Sequence, residues 1–252
     1  MCLILFAYKV SKKHPFILAA NRDEFYQRPT APMNFWHNKP YILAGKDIKQ
    51  GGTWFGINKK NKRFAGITNF RDPFSIKSNA PSRGEIIIDF LESTKKIELY
   101  INEFKKKADI YNGFNLVLGD KDSIFWFSNL KNKVEKIKIG IHGISNKFLN
   151  TPWPKITLGK KALHQIINEN ITYKSIFSML GNRTIAHDTK LPNTGIGLKW
   201  ERILSPLFIK SDIYGTRSST IMLIHKNGNI DIIERTYNPE NHLKYKDEKF
   251  FI

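Results

Sequence analysis

Residues 16–29 read FILAANRDEFYQRP, and the change from apolar to polar side chains within this stretch decides how the chain begins to fold. Residues 16–20 are apolar and predict a buried strand. Four side chains that form hydrogen bonds come next, three of them charged: Asn21, Arg22, Asp23 and Glu24. A polar cluster directly after a buried strand is typical of a functional site, and a salt-bridged turn is the alternative.

The residues before this stretch predict a β-hairpin. Residues 2–10 are apolar and aromatic, as in a strand, and SKKHP at 11–15 is typical of a turn. Pro15 lacks the N–H that a central sheet ladder needs, so the second strand begins after it and pairs back. The hairpin therefore places the polar cluster beside Cys2.

The remaining pattern alternates blocks of strands with blocks of helices. A second hairpin is expected from 51–58 to 64–70, and Asn227-Gly228 is typical of a type I′ hairpin turn. Ser82 to Glu85 has the spacing of a capping box before a helix over 85–94. The other expected elements are helices at 95–108, from Pro154 and at 173–182, strands at 113–120, 123–129, 133–140 and 141–146, a loop at 181–212, and a final edge strand at 249–252.

This order of elements argues against a parallel, doubly wound sheet. We expect an α+β fold, a four-layer αββα sandwich in which two antiparallel sheets stack face to face with helices on their outer faces. One domain over residues 1–252 would form it. A chain of this length with 41% hydrophobic residues is large enough for such a core.

The net charge is +19, which suggests an anionic partner such as nucleic acid or a membrane surface. The lysines are scattered, and the densest runs, at 59–63 and 105–107, are short. We therefore expect no specific nucleic-acid partner. No apolar run approaches the roughly 18 residues of a transmembrane segment, no signal peptide is visible, and the single cysteine cannot form an internal disulfide. We expect a soluble, cytoplasmic protein.

Cys2 directly follows Met1, and a residue this small normally permits removal of the initiator methionine. Cys2 would then carry both a thiol and a free α-amine, so that one residue could supply nucleophile and base. Arg22 would stabilise the thiolate, Asp23 would hold the amine, and asparagine side chains would stabilise an oxyanion. The alternative is that Cys2 is a small hydrophobic residue of a strand.

The segment GGTWFG at 51–56 shares only its glycines with a phosphate-binding loop. It lacks the GxxxxGK[ST] spacing, and a strand rather than a helix is expected after it. We therefore interpret it as a tight glycine turn that enters a strand.

Eight blocks of the sequence resemble the NRDE family, also called the transport and Golgi organisation protein 2 family. In chain order they are MCLILFAY, LAANRDEFYQRPT, GGTWFGI, ITNF, YNGFNL, GISN with TPWPK, YGTRSSTIML and ERTY. They span nearly the whole chain. The resemblance implies an N-terminal-nucleophile hydrolase-like αββα sandwich, the fold also of choloylglycine hydrolases and penicillin V acylases.

Similarity to those acylases implies roles for individual residues. Cys2 would attack the substrate, Asp23 would orient the amine of Cys2, and Asn69 and Asn146 would donate to an oxyanion. Arg217 would add a second positive charge near the site. The candidate catalytic residues are therefore Cys2, Asn21, Arg22, Asp23, Asn69, Asn146 and Arg217.

The chain departs from the acylase pattern at Ala20, where those enzymes carry an arginine. This change argues against hydrolysis of a linear amide by Cys2, a reaction that would require no cofactor. The NRDE family is associated with intracellular haem trafficking, and lipid or acyl-CoA handling is a competing proposal. The resemblance thus implies haem or an acyl compound as the small-molecule ligand, with haem carried as cargo.

The chain cannot contain the haem-attachment motif CxxCH, because it has a single cysteine. A Cys2 thiolate is chemically able to bind haem iron. The chain also contains seven histidines, none of them in a motif typical of a ligand: His14, His37, His142, His164, His187, His225 and His242.

Overall fold

The computed structural model describes residues 2–252, and within that range the chain forms two antiparallel sheets and five α-helices. Contacts divide the chain into two compact units. The first unit contains the residues up to Gln27, together with Lys138–Ser145 and Leu149–Ile252, and the second contains Arg28–Ile137 and Asn146–Phe148. The predicted α+β class and the two antiparallel sheets are confirmed. The face-to-face stacking and the single domain over residues 1–252 stay predictions.

The elements are numbered here in chain order. The strands are β1 Cys2–Tyr8, β2 Phe16–Phe25, β3 Thr30–Trp36, β4 Lys39–Asp47, β5 Phe55–Asn58, β6 Phe64–Asn69, β7 Phe114–Gly119, β8 Ile124–Ser128, β9 Lys133–Lys136, β10 Gly140–Ile144, β11 Tyr214–Ile224, β12 Ile230–Tyr237 and β13 Tyr245–Phe251. The helices are α1 Gly84–Glu92, α2 Ile97–Lys105, α3 Pro154–Asn168, α4 Tyr173–Leu180 and α5 Leu198–Ile203.

The first unit is built on a six-stranded sheet with the order β10-β1-β2-β11-β12-β13. Helices α3 and α4 pack on one face of this sheet. Alternate residues of each strand face them, because successive side chains of a strand point to opposite sides. In β1 and β2 the helix-facing core residues are Leu3, Leu5, Ala7, Ile17 and Ala19, all buried.

Strand β2 is longer than its apolar run predicts. It continues through the polar cluster to Phe25, because β1 and β11 pair with it on both sides. Cys2 pairs directly with Arg22, which confirms that the hairpin brings the cluster beside Cys2. The alternative of a salt-bridged turn is therefore wrong.

The second unit is built on a seven-stranded sheet with the order β3-β4-β5-β6-β7-β8-β9. Helix α1 packs on β5 and β6, and α2 packs near β8. The helix predicted at 95–108 is confirmed as α2, and its Ile97, Ile101 and Phe104 are all buried in this core. Strands β3 and β4 at one edge of the sheet were not predicted.

Several local predictions need correction. The capping box before α1 does not form: Arg83 is the N-cap, and the Ser82 hydroxyl instead accepts from the amide of Gly84 at 3.3 Å. The turn at Asn227-Gly228 is not type I′, because only Gly228 of the pair has a positive φ, 84°. The predicted strand at 141–146 ends at Ile144, and the predicted loop at 181–212 contains α5.

Candidate functional site

Cys2 and Arg22 lie on one face of the six-stranded sheet. Directly opposed residues of antiparallel strands project to the same side, and these two residues are opposed across β1 and β2. Cys2 is half-buried, whereas Arg22 is buried. Burial raises the pKa of the Cys2 thiol, and the charge of Asp23 raises it further although Arg22 acts to lower it. The thiol is therefore protonated near neutral pH while Cys2 is buried in this way.

A β-bulge in β11 brings Arg217 to the same region. Thr216 pairs with Asp23 and Ser218 pairs with Arg22, so Arg217 is the extra residue between two regular pairs. Bulges re-aim side chains and often occur beside functional sites. This register places Arg217 beside the paired residues Asp23 and Arg22, and its role as a second positive charge near the site stays a prediction.

The guanidinium of Arg217 is anchored to the end of β2. Its Nη1 donates to the carbonyls of Phe25 and Tyr26 at 3.1 and 3.2 Å. Burial lowers the pKa of Arg217, and the neighbouring positive charge of Arg22 lowers it further. The negative charge of Glu24 acts in the opposite direction and raises the pKa of Arg217, so a carboxylate already lies near this positive charge.

Asn21 lies on the opposite face, toward the helices. It is opposed to Leu3 and to Ser219, and it is fully buried. Its Nδ2 donates to the carbonyls of Leu180 at 3.0 Å and Leu207 at 2.8 Å, while its Oδ1 accepts from the Ser219 hydroxyl at 2.6 Å. These bonds fasten β2 to the end of α4 and to the chain that leads to β11. Both side-chain amide hydrogens of Asn21 are therefore donated to carbonyls of the protein.

Asp23 follows Asn21 by two positions and therefore shares the helix-facing side. Its Oδ1 accepts from the Thr216 hydroxyl at 2.7 Å. Burial raises the pKa of Asp23, although the positive charge of Lys155 acts to lower it. The predicted cluster is thus divided by the sheet, with Cys2 and Arg22 on one face and Asn21 and Asp23 on the other.

Lys155 is a residue that sequence reasoning missed. It lies in the first turn of α3, and its side chain is buried. A buried lysine is rare unless it is paired, and Asp23 is the carboxylate on which its charge acts. The signal was present in the block TPWPK, where a lysine follows a helix-starting proline.

Asn69 and Asn146 belong to the second unit and lie next to each other there. The Asn146 Nδ2 donates to the carbonyl of Asn69 at 2.8 Å, and the Asn146 carbonyl accepts from the amide of Arg71 at 2.8 Å. The structure therefore brings these two predicted oxyanion donors together. Their convergence with Cys2 stays a prediction.

Ala20 lies on the same face as Arg22 and Cys2. It pairs with Ile4, and Arg22 follows it by two positions along β2. The arginine that the acylases carry at the position of Ala20 is therefore replaced by one that projects from the same side of the strand, one residue pair further along. Relative to the acylase pattern, the guanidinium is therefore moved two residues along β2 but stays on the face that carries Cys2.

Several of the histidines make local contacts within the protein. No cluster of three or more histidine, cysteine or acidic side chains that could hold a metal ion occurs among residues 2–252. The His225 Nε2 lies 2.8 Å from the Asp231 carboxylate, and the ring of His14 packs against that of His225 at 4.8 Å between centroids. His142 Nε2 lies 2.9 Å from the carbonyl of Lys138.

We expect acid to destabilise the protein in part through His242. This residue is buried against Tyr26, Tyr237 and Phe208, and burial lowers its pKa from the ordinary value of 6.5. As pH drops below 6.5, His242 becomes protonated in the unfolded chain while it is still neutral in the folded chain. The free energy of unfolding therefore falls as pH drops. His242→Gln should flatten this fall between pH 7 and about pH 5, measured by urea unfolding. An equally steep fall in the variant would contradict this role, and His164→Gln is the exposed control.

Comparisons with known proteins show which family the chain resembles. The family model described as Transport and Golgi organisation 2 matches residues 1–239. The transport and Golgi organisation protein 2 homologues of Homo sapiens and Mus musculus are 32% and 31% identical to the chain, over 94% of it and 93% of their own length. The Drosophila melanogaster protein is 25% identical, over 94% of this chain and 92% of its own.

No helix within residues 2–252 is long and apolar enough to cross a membrane. The collinear match over nearly the whole chain, together with two relatives above 30% identity, identifies the family. The chain belongs to the Transport and Golgi organisation 2 family.

Proposed function

We propose that this protein binds haem as cargo, with the Cys2 sulfur as a ligand to the iron and with Arg22 and Arg217 as partners of the haem propionates. The observation that carries the proposal is the shared face of Cys2 and Arg22, next to which the β11 bulge places Arg217. A thiol beside two guanidiniums suits haem, whose iron accepts a thiolate ligand and whose two propionates are carboxylates.

The electrostatics of Cys2 favour a ligand over a nucleophile. A nucleophilic cysteine requires a lowered thiol pKa, whereas burial raises the pKa of Cys2. Ferric iron can still displace the proton, because metal binding releases the proton of a thiol ligand. The arginines then stabilise the thiolate and the propionates together.

The proposal predicts saturable binding of haemin. Titration of the purified protein should shift the Soret band and saturate at a single equivalent. Cys2→Ala should lose the shifted band, because it removes the iron ligand, and Arg217→Gln should weaken binding about tenfold while it keeps the band position. His164→Ala replaces an exposed histidine of α3 and serves as the control. An unchanged spectrum on addition of haemin to the wild-type protein would contradict the proposal.

Hydrolysis of a linear amide is the second candidate, and one observation favours it. Asp23 is close enough to Cys2 for its charge to affect the thiol pKa, as the similarity to acylases requires. If Met1 is removed, the new α-amine of Cys2 would lie within this field. Fast iodoacetamide labelling of Cys2 at neutral pH, together with hydrolysis of an N-acyl amino acid that Cys2→Ala abolishes, would promote this candidate above haem binding. Slow labelling would support the haem proposal.

A further inference from the structure

The second unit presents a loop, residues 70–83, with two strongly exposed apolar side chains. Phe74 is 85% exposed and Ile76 is 71% exposed. A single exposed apolar residue is common on protein surfaces and needs no explanation. Two large apolar side chains separated by one residue at the tip of one loop are costly in water, and such patches mark interaction sites.

Hydrogen bonds at the start of the loop order its backbone. The Asp72 carboxylate accepts from the amide of Phe74 at 3.2 Å, and the Asp72 carbonyl accepts from the amide of Ser75 at 3.4 Å. Pro73 occupies the second position of this turn, where its fixed φ is favoured. The turn thus fixes the backbone at Phe74, whose side chain is 85% exposed.

The other end of the tip is fastened to the segment after α2. The amide of Lys77 donates to Asn112 Oδ1 at 2.7 Å, and Asn112 Nδ2 donates back to the Lys77 carbonyl at 3.1 Å. The Lys77 ammonium also donates to the carbonyl of Asp109. Ile110, which is 50% exposed, lies in this same segment. A third apolar side chain therefore lies next to the attachment point of the loop.

The loop and the segment to which it is fastened carry a net positive charge, although Arg71 is buried. The loop at 70–83 and the segment at 105–112 together contain six basic residues and two acidic ones. Lys106 and Lys107 are exposed. The basic residues are Arg71, Lys77, Arg83, Lys105, Lys106 and Lys107, and the acidic ones are Asp72 and Asp109.

We propose that this tip binds the surface of an anionic lipid bilayer. Phe74 and Ile76 insert between the lipid head groups, and the surrounding lysines pair with anionic lipids, which is how peripheral membrane segments combine the two forces. A small protruding tip suits a fluid bilayer, whereas a stable protein partner needs an interface of about 1,000 Å² or more. The overall charge of +19 adds long-range attraction to the same surface.

The experiment measures co-sedimentation of the full-length protein with vesicles of phosphatidylcholine, with and without phosphatidylserine. We expect binding to the phosphatidylserine vesicles that weakens as salt is raised. The double variant Phe74→Ser/Ile76→Ser should bind at least about tenfold more weakly, because both insertions are lost. Lys106→Gln/Lys107→Gln should bind several-fold more weakly, because each lysine near an anionic surface contributes to binding. The matched control is Ile213→Ser/Leu243→Ser, which removes two exposed apolar side chains of the first unit.

Two results would overturn the proposal. One is the absence of binding to phosphatidylserine vesicles at low salt, which would also be the outcome if the tip docks a protein instead. The other is binding of Phe74→Ser/Ile76→Ser as strong as that of the wild type, which would mean that the net positive charge alone accounts for the binding. All four replaced apolar side chains are exposed, so circular dichroism of the variants should match the wild type and exclude misfolding as the cause.

Discussion

Replacement of Asn21 by alanine should lower the free energy of unfolding by about 3 kcal/mol, because a buried donor that serves two carbonyls is lost. The Asn21 amide donates to Leu180 and Leu207 and accepts from Ser219, at 2.6–3.0 Å. Alanine leaves these carbonyls unsatisfied in the buried region where β2 meets the end of α4. The effect should be measured as the shift in the urea unfolding midpoint at neutral pH.

Asn170→Ala is the matched control for this variant. Asn170 lies in the exposed turn between α3 and α4, and its replacement should change stability by no more than about 0.5 kcal/mol. If Asn21→Ala were as stable as Asn170→Ala, the structural role of the Asn21 amide would be wrong. The catalytic role inferred from the resemblance would then regain support.

Gly52→Ala should destabilise the protein by about 2–3 kcal/mol through overpacking of a backbone contact. A Cβ at Gly52 would lie 2.6 Å from the carbonyl carbon of Gly84 and 2.7 Å from its Cα. Both neighbours are backbone atoms at the start of α1, so they cannot move aside as a flexible side chain can. Packing against the start of α1 therefore restrains the shape of the GGTW segment, in agreement with its interpretation as a turn that enters a strand.

Gly51→Ala distinguishes the cost of a steric clash, as at Gly52, from the cost of a side chain on a left-handed backbone. Gly51 has a φ of 75°, and a Cβ there would meet nothing within 4 Å. We expect a cost of about 1 kcal/mol from the left-handed backbone alone. Thermal unfolding of the two variants side by side tests the difference, and equal melting temperatures would contradict the close contact between Gly52 and Gly84.

The proximity of Cys2 to the polar cluster was predictable because the two strands of a hairpin run antiparallel, so the start of the first lies beside the end of the second. Residues 2–10 and 16–20 have strand character, and a five-residue turn between them fixes which ends meet. The faces of these side chains were harder to predict. They depend on register, and a shift of one residue exchanges the two sides of a strand. The assignment of Cys2 and Arg22 to one face required the observed pairing.

The position of Arg217 beside Arg22 depends on a β-bulge that the sequence pattern does not predict. The block YGTRSST has no glycine or proline at the bulged position, so nothing in its pattern marks Arg217 as the extra residue. Strand β3 was not predicted for a related reason. It lies at the sheet edge, where only Met33 of its residues is buried, and Pro32 weakens its strand signal. Strand β4 contains a buried run at 42–45 that was not recognised as a strand.

Lys155 shows a different limit of the sequence. A lysine in the first turn of a helix is usually solvent-exposed, and only the packing of α3 on the sheet buries it. Its charge then acts on Asp23, although the two residues are far apart in the chain. Buried charge pairs of this kind follow from tertiary contacts rather than from local pattern.

The most direct test of the haem proposal is X-ray absorption at the iron edge of the haemin complex. The proposal predicts a sulfur scatterer in the first coordination shell of iron in the wild-type protein. Cys2→Ala should lose this scatterer, while Arg217→Gln should keep it despite weaker binding. A first shell of nitrogen and oxygen atoms alone in the wild-type complex would contradict Cys2 as the iron ligand.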